Sequence, residues 1–421
     1  MSVMMCPAEN LPDDGAVAGG TASLTLRYKG AGQPLTLPRG RMMQGGPNQR
    51  YAMQFSRADR LLLLAVAAAT FMLMGAVQAI YGPALAGLSR EEGLSLAAVS
   101  SLISVHWVGC FAGVALMYLL GDRVVPRLLL LVLAAGAALL GWGASWEMTL
   151  AGAALTGLGQ GCVSVLLNPR ILAVFGPRGP AMLSLMHAGF GLGAIVAPLV
   201  FVVLDGAFRP IWLALAVVLL GVAAIARDTG RVAAETKTAG FRPDWAILGF
   251  GVVGIALEAV LIGLGPAALV RAGSTESEAA QWLSGFFVAF LGFRIVLIFA
   301  AHLIAPFRLY TLSVAGIAVC MAGALVTGPG WWFVLAGGFA GMIFPGYFVE
   351  AIARMGHDPR VSPLVVAAGL MGGIFAPPLL AGLVQGMGPR GFFVLVAGLS
   401  AGVLLAALLR LMQRNAYRQG A

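Results

Sequence analysis

Charge is what this chain has least of. Only 10% of its 421 residues are Asp, Glu, Lys or Arg, while 60% are hydrophobic; soluble domains carry roughly a quarter charged residues. A water-facing surface cannot be built from so little charge, so a soluble fold is excluded. Cysteine is scarce too. Cys6, Cys110, Cys162 and Cys320 lie far apart, three of them inside apolar runs, which excludes a disulfide framework and a zinc site. The sequence has no Walker motif, no H-E-x-x-H, no G-x-S-x-G and no clustered His or Asp ligands, so neither ATP-driven work nor membrane enzymology is indicated. GFGVVG at 249–254 satisfies the dinucleotide pattern, but it sits inside an apolar run with no strand before it. Close helix packing explains it better. No cofactor and no metal are expected, and the protein is not read as an enzyme.

What the chain has in abundance is long apolar stretches. A hydrocarbon core of about 30 Å needs roughly twenty apolar residues per helix. Runs of that kind occur at about 60–84, 97–120, 127–146, 149–171, 181–203 and 210–226, then at 244–266, 280–304, 308–327, 331–352, 363–384 and 391–412. The expected fold is all-α: a polytopic transmembrane bundle of twelve helices in two pseudo-symmetric six-helix halves. Glycine, with 58 residues, is about twice its usual share and lets helices approach closely in lipid. Pro83, Pro198, Pro266, Pro345 and Pro377 fall within or at the ends of these runs, where they permit bends.

Four regions are expected: a disordered tail over 1–57, a first half over 58–226, a connector over 227–243 and a second half over 244–421. Met53, directly before QFSRADR, is an alternative start. With loops assigned alternately to two sides, Arg123, Arg127, Arg170, Arg178, Arg227, Arg231, Lys237, Arg242, Arg308, Arg354 and Arg360 share one side. Only Arg90, Arg209, Arg271 and Arg390 lie on the other. The positive-inside rule then makes both termini cytoplasmic. The net charge of +9 is therefore topological, and nucleic acid is not an expected partner.

The halves repeat. GAIVAP at 193–198 returns as GGIFAP at 372–377, an offset of 179. Gly157 and Gly161 pair in the same way with Gly337 and Gly341, and Ser101 and Gly109 are aligned with Ser284 and Gly292. Paired six-helix repeats with a solute site between them are a recurring transporter plan.

LLGDRVVPRLL after the second run carries Asp122, Arg123 and Arg127, with Val125 in place of a glycine. Together with GQGCVSVLLNPR in the fourth run and MLSLMHAGFGLGAIVAPL in the fifth, it resembles the major facilitator superfamily, and within it the fucose permease and hexose symporter branch. The similarity covers about 58–412. That branch has an acidic residue four positions before the Asn of its Asn-Pro pair and another in its first helix. Here Ser164 and Gln78 stand at those places, so the resemblance implies fold and solute transport first, and sugar or proton symport second.

Ionisable groups inside apolar runs are the most informative residues, since one at the bilayer centre costs about 2.5–3.5 kcal/mol. Glu258, mid-way through the seventh run, is the first candidate for binding a proton or solute; packing alone is the bland alternative. Arg294 in the eighth run pairs with Glu258 or binds a hydroxyl-rich or anionic solute, against a purely structural ion pair. His187, which the resemblance places in the cavity, and His106 with Trp107 at its mouth are further candidates, with helix packing as the alternative for each. His302 reads as interfacial. Asn168, Gln160, Gln78 and Tyr347 supply neutral donors and acceptors in helices that line the cavity in the resembled family. Glu350 and Arg354, at ion-pair spacing on one helix, are gate candidates. So is the Asp122, Arg123, Arg127 cluster, which the resemblance implies is a cytoplasmic latch.

The reading is a secondary transporter in a bacterial inner membrane, moving a small polar solute such as a sugar by alternating access. Its expected partners are the solute, a coupling proton in the symport version, and the bilayer, with the chain working as a monomer. An efflux carrier of the same fold and a non-transporting sensor or assembly chaperone are the alternatives.

Overall fold

The computed structural model describes residues 55–120, 124–227, 242–300, 303–356 and 360–419, preceded by two three-residue strands, Leu24–Leu26 and Leu35–Leu37, paired antiparallel. Most of the expected tail, Met53, the connector over 228–241, and Asp122, Arg123 and His302 lie outside the described residues.

The rest of the described chain is helices joined by short connections. Among the described residues thirteen α-helices occur, of which eleven are long and apolar enough to cross a membrane. The first span is two helices, Arg57–Ala79 and Tyr81–Glu92, broken at Ile80. The spans that follow are Leu96–Leu120, Pro126–Trp142, Trp146–Phe175, Gly179–Val203, Phe208–Ile225, Trp245–Arg271, Glu276–Ala300, Pro306–Thr327, Pro329–Met355, Val361–Gln385 and Gly391–Gln419. Pro126–Trp142, of 17 residues, is the short member that completes twelve; at 1.5 Å per residue it reaches about 25 Å.

Local chemistry sets the ends. Ser56, Ser145 and Asp244 cap helices by accepting backbone N–H groups. Pro126, Pro306 and Pro329 stand in first turns, where the missing N–H is not needed. Gly143, at φ +50°, closes the third span, because the left-handed region suits glycine. The first span runs on to Glu92, beyond the expected end near 84, since nothing in YGPALAGLSREE stops a helix before Gly93. Trp142, Trp245 and Trp331 are exposed near span ends, as in the aromatic belts of membrane proteins.

The two halves are built alike at the level of contacts. A side chain at Gly193 would overlap the carbonyl of Met72, and one at Gly372 would overlap that of Val252; so the fifth span lies on the first as the eleventh lies on the seventh. Gly157 and Gly161 press on the carbonyls of His106 and Cys110, as Gly337 and Gly341 press on those of Phe286 and Phe290. The register between halves is thus 180 residues for the second span as for the fourth. The alignment of Ser101 and Gly109 with Ser284 and Gly292 is three residues out of that register and is corrected: position 106 answers to 286.

Between the halves, the first and seventh spans meet where a side chain on Gly82 would come 2.7 Å from the carbonyl oxygen of Ile262. By the same register those two positions are equivalent, so the pseudo-twofold axis runs through this crossing. Arg90 pairs with Glu276 farther out, and Ser284 donates to Ile195 O at 2.8 Å. These ties close the end of the bundle that holds the loops near 93, 205 and 273. At the opposite end Asp59 pairs with Arg227 and Asp244 with Arg354, and neither pair bridges the halves.

Candidate functional site

One turn before the Gly82 crossing, the two halves part around a cavity of about 160 Å³. Six expected residues line it: Gln78, Trp107, Gln160, His187, Glu258 and Arg294. The halves contribute Gln78 and Glu258 from equivalent places, since 258 answers to 78 in the register that equates Ile262 with Gly82.

Glu258 keeps its Oε2 buried and without a hydrogen-bond partner, and Gln78 Oε1 is in the same condition. Arg294 donates from Nε to Gly341 O at 2.7 Å and lays its guanidinium 4.3 Å over the Phe290 ring. Gly341 makes this possible, because its lack of a side chain brings the tenth span against the eighth. No direct ion pair joins Glu258 and Arg294. They face one cavity as a separated carboxylate and guanidinium, an arrangement costly when left empty and suited to a ligand that bridges them. His187 sits edge-on to Phe71 at 4.9 Å between centroids. The walls between these groups are apolar, with Phe190, Phe287, Phe290 and Leu291.

The remaining expected residues go elsewhere. His106 is buried beside the cavity, its Nδ1 3.1 Å from Tyr81 Oη and 3.3 Å from Thr156 Oγ1. Asn168 is absent from the lining: two turns beyond Gln160 and next to Pro169, it holds a buried Oδ1 with no partner. Tyr347 is corrected as a cavity residue. It is fully buried inside the second half and donates its hydroxyl to Val365 O at 2.8 Å, filling the space over Gly251.

Glu350 accepts from Arg354 Nε at 2.7 Å, as the spacing requires, and Arg354 reaches Asp244 at 2.9 Å, with Arg410 3.7 Å from that carboxylate. This cluster ties the tenth span to the start of the seventh and to the twelfth, all within one half. For Asp244, burial works to raise its pKa, but hydrogen bonds from Arg354 and the Ile247 N–H and the charges of Arg354 and Arg410 outweigh it and hold the carboxyl below its ordinary value. Arg127 donates to the carbonyls of Ala223, Ala224 and Ala226 at 3.0, 2.9 and 3.4 Å, covering acceptors that a helix end leaves open.

Tyr81 is the polar lining residue that sequence reasoning missed. Its signal was a tyrosine next to Gly-Pro at the break of the first span.

The comparisons agree with this architecture. Residues 67–361 match the Major Facilitator Superfamily model. A sodium-dependent glucose transporter 1 from Rattus norvegicus is 29% identical over 150 residues, 35% of this chain and 31% of that protein's length. Among solved structures, a D-xylose-proton symporter superposes with a TM-score of 0.64 at 16% identity, covering 83% of this chain and 96% of that one. A nucleoside transporter gives 0.66 at 13% identity over 83% and 98%. The fucose:proton symporter of E. coli gives 0.55 at 19% over 83% and 99%. The chain belongs to the major facilitator superfamily and is a multi-pass membrane transporter.

Proposed function

We propose that this protein is a secondary active transporter of a small polar solute of the sugar class, working by alternating access, with Glu258 as the proton-carrying group. The observation that carries this reading is the cavity on the pseudo-twofold axis, with an unpaired carboxylate and an unpaired guanidinium held among neutral amides and aromatic walls. Carboxylate and amide oxygens accept from hydroxyls, arginine and histidine donate to them, and rings pack against the C–H faces of a sugar. On this reading the end holding the loops near 123, 176 and 357 is cytoplasmic, following the eleven-to-four distribution of basic residues. The state captured here is then closed to the outside. Two structural neighbours are symporters of a sugar with a proton by name, and the rat relative is named for sodium, so the test includes both ions.

The test is uptake by proteoliposomes of the full chain with labelled D-xylose, L-fucose and D-glucose, under an imposed proton or sodium gradient. Accumulation of one of them driven by the proton gradient is expected. Absence of counterflow for all three overturns the substrate class, and accumulation driven by sodium alone overturns the proton.

A further inference from the structure

Three buried polar groups of the first half form a chain that ends at the cavity wall. Thr156 Oγ1 lies 3.0 Å from Gly152 O and 2.9 Å from Ala153 O, and 2.9 Å from Tyr81 Oη. Tyr81 Oη lies 3.1 Å from His106 Nδ1. The other ring nitrogen, Nε2, is buried with no partner at hydrogen-bond distance, and Gln160 lies one helical turn beyond Thr156 on the same span. Gln160 and Tyr81 both line the cavity.

The direction of this chain follows from what each group can give. Carbonyl oxygens only accept, so the single Thr156 hydroxyl proton goes to the backbone. The Thr156 oxygen then accepts from Tyr81, which commits the one tyrosine proton. Tyr81 Oη can meet His106 Nδ1 only as an acceptor, so Nδ1 carries the proton. The 3.3 Å contact of Nδ1 with Thr156 Oγ1 fits the same N–H shared between two acceptors. Reversing the chain would set the Thr156 lone pairs against two carbonyl oxygens with no proton between them. It would also leave a buried N–H at Nε2 without a bonded acceptor, the rarer kind of orphan.

We infer that Tyr81, Thr156 and His106 are a positioning relay that fixes His106 with its proton on Nδ1, so that Nε2 draws the Gln160 amide N–H and turns the Gln160 carbonyl toward the solute. The relay is not needed for packing. At the four equivalent positions of the second half stand Leu261, Phe286, Ala336 and Ala340, all hydrocarbon, around the same glycine-mediated crossing. Burying a polar network where apolar side chains suffice is costly unless it specifies something. Here it sets the Gln160 carbonyl, in the first-half wall, as an acceptor opposite the donor Arg294. A solute is thereby oriented with a donor hydroxyl toward Gln160.

The assignment of Gln160 to solute rests on the proposed function; the proton position does not, so the two fail separately. The test is solid-state NMR on full-length protein in lipid with 15N,13C-labelled histidine, the His106 signals identified by their loss in His106→Gln. The expected result is a neutral ring protonated on Nδ1 alone, with Gln160 side-chain amide protons near Nε2. Thr156→Ser keeps this state. Thr156→Val frees Tyr81 to donate to Nδ1 and shifts the proton to Nε2, a change that a packing role would not produce. A wild-type ring protonated on Nε2, or a Thr156→Val ring that stays protonated on Nδ1, overturns the relay.

Discussion

Glu258 and Arg294 share one cavity but are held differently. Arg294 is held by Gly341 O on the tenth span and by the Phe290 ring, so it is a fixed donor. Glu258 has a buried oxygen with nothing to bond, and on the proposed function it is the group that exchanges a proton. Glu258→Gln should therefore cut gradient-driven accumulation by at least tenfold while leaving solute counterflow within about threefold, measured in the same proteoliposomes. Equal loss of both would make Glu258 a binding residue only. The six lining residues foreseen were legible because polar groups inside apolar runs are expensive and so stand out. Tyr347 stood out for the same reason, yet its hydroxyl serves Val365 O. Whether a polar group in a span answers to a ligand or to a neighbouring carbonyl depends on packing, which one sequence does not display. Asp244 shows the limit from the other side: its bond to Arg354 joins positions 110 residues apart.

That carboxylate gives a pH prediction. Because its folded-state value lies below its ordinary one, Asp244 stabilises the protein fully above the unfolded carboxyl pKa, near 4, and loses that contribution as pH falls through the folded value. Thermal unfolding in detergent should show Asp244→Asn less stable than wild type at pH 7, with the gap closing below about pH 4. A gap that widens in acid contradicts the assignment.

At the scale of the element, glycine decides which helices meet. Gly193→Leu drives a side chain into the Met72 carbonyl, and Gly372→Leu does the same at Val252. Each should abolish the monodisperse peak in size-exclusion chromatography. Gly221, with nothing within 4 Å of an added Cβ, should accept Ala with the peak unchanged. The spacing of these glycines, and the GAIVAP and GGIFAP repeat, were visible in the sequence because small-residue packing constrains every fourth position. Span ends were less so. The first span continues to Glu92 because hydropathy falls well before helicity does, and the break at Ile80 has no proline or glycine at the break itself. The three-residue error in aligning Ser101 with Ser284 has a similar origin: two serines matched by type while the backbone register was set by Gly157 and Gly337.

For the whole molecule, the halves are joined at one end by the Gly82 crossing and the Arg90–Glu276 pair, and the cavity lies directly inside that seal. Arg90→Ala removes an exposed pair across the halves, worth little to stability, and should instead shift the population toward the state open at that end. The central claim is that this cavity is the solute route, reached from each side in turn. The most direct test places a single cysteine at Leu291, a lining residue, in a background without Cys6, Cys110, Cys162 and Cys320, and applies membrane-impermeant thiol reagents to right-side-out and inside-out vesicles. The account predicts labelling from both sides, with the external rate raised by Arg90→Ala. Labelling from one side only, in both backgrounds, would contradict it.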